Sequence, residues 1–133
     1  SVNGMSSNEA RNRIRRFHME QISRVAAKLT SVPEGDGTML DHTLIVYLSD
    51  AAEKHHGSCT EWPFLLLGGL GQAKAGSGRY LQFPSYGKKG QRTIGNLYNT
   101  FMEYAGKPQD QFGRLDLNID AELQRGPLPE LIS

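Results

Sequence analysis

Apolar residues recur at helical spacing near the start of the chain. A stripe at intervals of four, four, three and four residues is typical of a buried helix face and comprises Ile14, His18, Ile22, Val25 and Leu29. Ser6 and Glu9 stand ahead of it with the spacing of a capping box. Pro33 follows, and proline stops a helix because its ring blocks the preceding turn. The pattern predicts a helix that runs to about Thr30 and buries His18 with a satisfied hydrogen bond.

Two continuous apolar runs follow at residues 44–48 and 64–67, and a weaker candidate strand lies at 79–83. Apolar runs without polar alternation are typical of strands that are covered on both faces, as in parallel sheets. Residues 33–37 are rich in glycine and acidic residues, and this composition predicts a turn ahead of the first strand. We therefore expect the two apolar runs to lie inside a parallel sheet.

A second helical pattern covers residues 93–105, and its predicted buried face comprises Ile94, Leu97, Tyr98, Phe101 and Ala105. Thr93 suits its N-cap, and Gly106 suits the position just past its end. Residues 113–133 have no sustained periodicity and are predicted to form an irregular tail on the surface.

These elements predict one α/β unit over residues 1–133. Two strands with a weak third are few for a sheet that is covered on both faces, because such sheets usually contain several strands. We therefore expect the sheet to be incomplete in this chain alone. The missing strands would come from further polypeptide of the same protein or from a second chain.

Composition narrows the function classes. The 133 residues carry a net charge of +1, so nothing in the overall charge favours nucleic acid as a partner. No apolar run approaches the roughly 20 residues of a transmembrane segment. Cys59 is the single cysteine and cannot form an internal disulfide, so the cysteines indicate no compartment.

Candidate chemistry follows the first apolar run. Ser49 and Asp50 end that strand, and Asp50 is thereby placed at the sheet edge where ligands bind in open α/β folds. His55 and His56 follow within six residues, and carboxylate and imidazole groups suit a divalent metal such as Zn²⁺, Mn²⁺ or Ca²⁺. Such an ion could polarise a phosphoryl or sulfuryl oxygen. The alternative is a solvated loop in which Asp50 only caps backbone amides.

Four segments resemble the C-terminal region of the H-x-x-S-H-H-motif protein family: residues 17–21, 32–44, 62–69 and 78–81. The family is distantly similar to the sulfatase and alkaline-phosphatase superfamily. The resemblance implies an alkaline-phosphatase-like sheet flanked by helices and a location in the periplasm or cell envelope. It also implies a metal-dependent hydrolase of phosphate or sulfate esters, with Asp50 as the strand-end ligand and His55 or His56 as a later one.

The chain departs from that pattern. The H-x-x-S-H-H motif is absent, and Ala51 stands where many superfamily enzymes have histidine directly after the aspartate. Gly57 and Cys59 occupy positions near which many family members carry histidines. Two alternatives to a hydrolase therefore stay open. One is a non-catalytic binding or structural module, and the other is a subunit of a multi-chain assembly.

Overall fold

The computed structural model describes residues 4–50, 59–69 and 78–132. Its elements, in chain order, are α1 (Ser7–Thr30), β1 (Pro33–Glu34), β2 (Gly37–Thr38), β3 (Ile45–Leu48), β4 (Phe64–Leu67), α2 (Ile94–Tyr104), a 3₁₀ turn (Ala121–Gln124) and α3 (Pro129–Ile132). The chain thus combines helices with two small sheets, as the α/β prediction requires at this level. Within the described residues, no helix is both long and apolar enough to cross a membrane.

Helix α1 begins and ends where the sequence predicts. The Ser6 side chain accepts a hydrogen bond from the Glu9 amide at 3.2 Å, which satisfies one of the free N–H groups of the first turn. No residue of α1 is buried, however, and Ile14 and Val25 are 56% and 52% exposed. The predicted buried face is therefore wrong at these positions, because no described part of the chain covers them.

His18 is also exposed, in contrast to its predicted burial. Its Nδ1 lies 3.1 Å from the hydroxyl of Tyr47 in β3, and the two rings meet edge to face. The expected hydrogen bond thus exists, but it lies at the surface where α1 meets β3.

The predicted turn at residues 33–37 is the centre of a small antiparallel hairpin. Pro33 pairs with Thr38 and Glu34 with Gly37, so two residues form the turn. Gly35 in that turn has φ of +60°, a conformation that costs glycine little because it has no Cβ.

Strands β3 and β4 pair antiparallel, with Ile45 opposite Leu67 and Leu48 opposite Phe64. The predicted parallel arrangement is therefore wrong for this pair. An unbroken apolar run indicates cover on both faces, but it carries no information about the direction of the neighbouring strand. No strand forms at residues 79–83, where the sequence suggested a weak one.

Helix α2 packs against the C-terminal segment, residues 110–132, through amide side chains. Asn96 Nδ2 donates to the carbonyl oxygens of Arg125 and Gly126 at 2.9 and 3.1 Å. Asn99 Nδ2 donates to the carbonyls of Asp110 and Gly126 at 3.2 and 3.1 Å. These contacts satisfy backbone groups in a segment that has too little regular structure to pair them itself.

The hydroxyl of Thr100 adds a third link, because it accepts a hydrogen bond from the Leu128 amide at 2.8 Å. Further along, Gln124 Nε2 donates to the Asp116 carbonyl at 2.9 Å, while its Oε1 accepts from the Asp116 amide at 2.7 Å. The described part of the segment predicted as an irregular surface tail has only two short helical turns, yet the bonds from Asn96, Asn99 and Thr100 fix it onto α2.

The buried side chains of the described residues are mostly polar. Only two of them are apolar, and the full set is Gln91, Asn96, Leu97, Asn99, Thr100, Gln124 and Leu128. The interior beside α2 is therefore held by hydrogen bonds from side chains to backbone as much as by apolar packing.

Replacing Asn96 should weaken the packing of α2 against the residues that follow it and so destabilise the protein. Asn96→Leu would remove the hydrogen bond to the Arg125 carbonyl and one of the two to the Gly126 carbonyl, which Asn99 still reaches, and the Thr93 amide would lose its bond of 2.9 Å to Asn96 Oδ1. We expect the free energy of unfolding to fall by about 2 to 4 kcal/mol. Denaturant titration followed by circular dichroism measures it. The control is Asn12→Leu on the exposed side of α1, and an equal loss in both variants would contradict the role of the amide.

Candidate functional site

The predicted metal ligands begin at the end of β3. Asp50 follows that strand by two residues, and its side chain is exposed. His55 and His56 lie in residues 51–58, outside the described residues, so their positions relative to Asp50 are not part of the structure. In the described ranges, no three histidine, cysteine, aspartate or glutamate side chains form a group that could hold a metal ion.

The far end of β4 packs tightly against the turn that precedes β3. The Gly69 amide donates to the Leu40 carbonyl at 3.1 Å, and a Cβ at Gly69 would lie 2.8 Å from the Asp41 carbonyl oxygen. Gly68 has φ of +97°, and a Cβ there would overlap the carbonyl oxygen of Thr43. Only glycine allows this approach, so the pair fixes how the β3–β4 ribbon meets the preceding turn.

Asp41 stabilises the same turn. Its Oδ2 accepts hydrogen bonds from the hydroxyl and the amide of Thr38 at 2.8 and 2.7 Å. These bonds favour the ionised carboxylate and hold the pKa of Asp41 below the ordinary value of an aspartate. The Asp41 carboxylate thus stabilises this turn through its bonds to Thr38. This role explains why an acidic residue lies between two apolar segments.

A cleft of about 1300 Å³ separates the β3–β4 ribbon from α2 and the C-terminal segment. This volume exceeds the roughly 300 to 1,000 Å³ of small-molecule sites. Several aromatic side chains line it, among them Trp62, Phe64, Tyr80, Tyr98 and Phe112. Tyr98 and Phe112 stack with their centroids 4.8 Å apart, which gives one wall a flat apolar surface.

Charged groups gather at one end of this cleft. Arg92 lies 3.9 Å from the carboxylate of Glu130, and Arg79 donates to the Glu130 carbonyl at 3.0 Å. The Tyr104 hydroxyl donates to the Leu131 carbonyl at 2.6 Å, and burial raises the pKa of that phenol, so it stays a donor. These groups hold α3 in place.

Comparisons with protein-family models, with curated proteins and with solved structures found no match for this chain. Its function is therefore inferred from the geometry above. The close backbone contact at Gly68 and Gly69 has no counterpart among the predictions from sequence. The signal that could have indicated a tight contact is their position directly after an apolar strand.

A methyl group at Gly68 should disrupt the base of the ribbon. Gly68→Ala meets both an unfavourable φ and the Thr43 carbonyl, whereas Gly106→Ala meets a φ of +68° with open space around its Cβ. We expect Gly106→Ala to cost about 1 to 2 kcal/mol of unfolding free energy, and Gly68→Ala to cost clearly more. Thermal and denaturant unfolding of both variants measure the difference. An equal loss of unfolding free energy in the two variants would show that the close approach to the Thr43 carbonyl adds nothing to the cost of Gly68→Ala.

Proposed function

We propose that this chain is a non-catalytic structural module that contributes a two-stranded ribbon to the sheet of a larger α/β assembly. The observation that carries the proposal is the composition and exposure of β3 and β4. All eight of their residues are apolar, as Ile-Val-Tyr-Leu and Phe-Leu-Leu-Leu, and none of them is buried. Such strands usually occupy the covered centre of a sheet.

Energetics support a missing neighbour. A two-stranded ribbon alone is at best marginally stable in water, whereas three or more strands with a covered face are stable. Apolar area contributes about 25 cal/mol for each Å² removed from water, so covering these residues further would stabilise the ribbon. The aromatic side chains in the cleft beside the ribbon add further apolar surface.

The edges of the ribbon indicate how the partner would bind. In the described residues, β3 and β4 pair with each other and with no other strand, so each has one edge without a strand neighbour. An extended apolar segment could add there through main-chain hydrogen bonds, with its side chains continuing both faces. The partner is thus an apolar β-strand, from further polypeptide or from a second chain.

A metal-dependent hydrolase is the second candidate. The observation that favours it is the exposed position of Asp50 just beyond β3, a few residues before His55 and His56 in the sequence. Kinship with the H-x-x-S-H-H-motif proteins, an alkaline-phosphatase-like sheet and a place in the cell envelope stay predictions. The two candidates are compatible in structure, because a larger sheet that accepts the ribbon could bring further ligands to Asp50.

The structural module predicts association through the ribbon. We expect the purified chain to self-associate at micromolar concentrations and to bind an apolar dye, because unpaired strand edges pair with each other. Leu65→Lys, at a position in β4 that is 37% exposed, should reduce both effects. The control Leu117→Lys, at a position that is 98% exposed and outside the ribbon, should leave them unchanged.

Sedimentation equilibrium and dye fluorescence measure these effects. A closed dimer would identify a second copy as the strand donor, and a monomer that still binds dye would indicate further polypeptide. A monomer that binds no dye and whose β3 and β4 amides exchange slowly would contradict the proposal.

The hydrolase candidate has its own test. If Asp50 is a metal ligand, Asp50→Asn should weaken binding of Zn²⁺ or Mn²⁺ by at least about tenfold, and hydrolysis of p-nitrophenyl phosphate or sulfate should fall with it. Asp36→Asn, at an exposed aspartate in the β1–β2 turn, is the control. Equal metal affinities of Asp50→Asn and the natural chain would exclude Asp50 as a ligand.

A further inference from the structure

Helix α1 presents apolar side chains to solvent along one side. Ile14, Phe17 and Val25 are 56%, 58% and 52% exposed. At about 100° per residue they fall within an arc of roughly 80°, so they form one exposed strip. The helix spans 24 residues without a buried side chain, although helices in proteins owe most of their stability to packing of such a strip.

Basic side chains border the exposed strip. At the same helical spacing, Arg24 and Lys28 project in nearly the same direction as Phe17 but lie about two to three turns further along the helix, beside Val25, and Arg13 lies one turn before Phe17 at the edge of the same side. Arg13 is paired with Glu9 at 2.9 Å. Over its whole length α1 carries six basic and two acidic side chains, although the complete chain has a net charge of only +1. The positive charge of the protein is thus concentrated on this helix.

The charge and the shape of the exposed strip together indicate which kind of partner binds it. A second copy of α1 would bring an equally basic surface against it, and like charges across an interface are unfavourable. A lipid surface suits helices with a broad continuous apolar sector, whereas this strip has three large side chains along 24 residues. An acidic groove with an apolar floor fits both features, because it would receive the three anchors while its rim meets the basic groups.

We propose that α1 is a docking helix for an acidic protein groove, in which Ile14, Phe17 and Val25 insert into apolar pockets. Carboxylates on the rim face Arg24 and Lys28. This surface is separate from the β3–β4 ribbon, and the proposal does not depend on strand addition there.

The test uses a probe with the required chemistry. Ca²⁺-loaded calmodulin has apolar, Met-rich grooves that receive basic amphipathic helices, and it serves here as a surrogate groove. We expect the full chain to bind it with micromolar affinity in a calorimetric or fluorescence titration. Binding should weaken as salt rises, because the rim contacts are charged.

Matched variants separate the anchors from the charges. Phe17→Ala should weaken binding by about tenfold or more, whereas Leu117→Ala, at an exposed leucine outside α1, should not. Arg24→Gln with Lys28→Gln should weaken binding several-fold and flatten its salt dependence, and Lys88→Gln with Lys89→Gln should do neither. Circular dichroism checks that each variant keeps its helices.

Any one of four outcomes would overturn the proposal. One is no binding to the probe at 100-fold its expected dissociation constant, or binding that Phe17→Ala leaves unchanged. Another is tighter binding to vesicles of phosphatidylserine and phosphatidylcholine than to the probe, which would assign the strip to a lipid surface. The last is self-association that Phe17→Ala abolishes and Leu65→Lys does not, which would assign it to a second copy.

Discussion

The structure depends on one constraint: the backbone carbonyls of an irregular C-terminal segment must find donors away from water. Helix α2 meets this need with amide side chains. Asn96 and Asn99 each donate to two carbonyls, and both reach Gly126. An unsatisfied buried carbonyl costs more than a lost apolar contact of similar size, so polar residues occupy positions on α2 where leucine would be usual.

The consequence is a small apolar interior and large apolar surfaces. Since α2 buries amides, only Leu97 and Leu128 among the described apolar residues are buried. Most of the exposed large apolar side chains lie in the ribbon, in the cleft beside it or along the exposed strip of α1, and the exceptions among the described residues are Leu117 and Ile132. Contiguous exposed apolar surface marks interaction sites in soluble proteins, and here it is divided between two places with different charge. The ribbon offers main-chain edges, and α1 offers apolar anchors bordered by basic groups.

Local turn chemistry connects these two surfaces. The Thr38–Asp41 hydrogen bonds and the Gly68–Gly69 contact hold the end of β4 against the turn before β3. His18 and Tyr47 then join α1 to β3. The orientation of the ribbon, and with it the exit of Asp50, is therefore set by a few short-range polar contacts and by close backbone packing.

The sequence by itself determined what depends on near neighbours. The Ser6 and Thr93 caps, the extents of α1 and α2 and the turn at Gly35 follow from local hydrogen bonding and backbone freedom, which neighbouring residues decide. Tertiary structure decided the antiparallel direction of β3 and β4, the exposure of His18 and Ile14, and the attachment of residues 113–132 to α2. An apolar pattern states that a side chain favours cover, but which element covers it depends on contacts between residues far apart in the chain. The amides of Asn96 and Asn99 carry no periodic signal, so their partners appear only once the fold brings that segment to them.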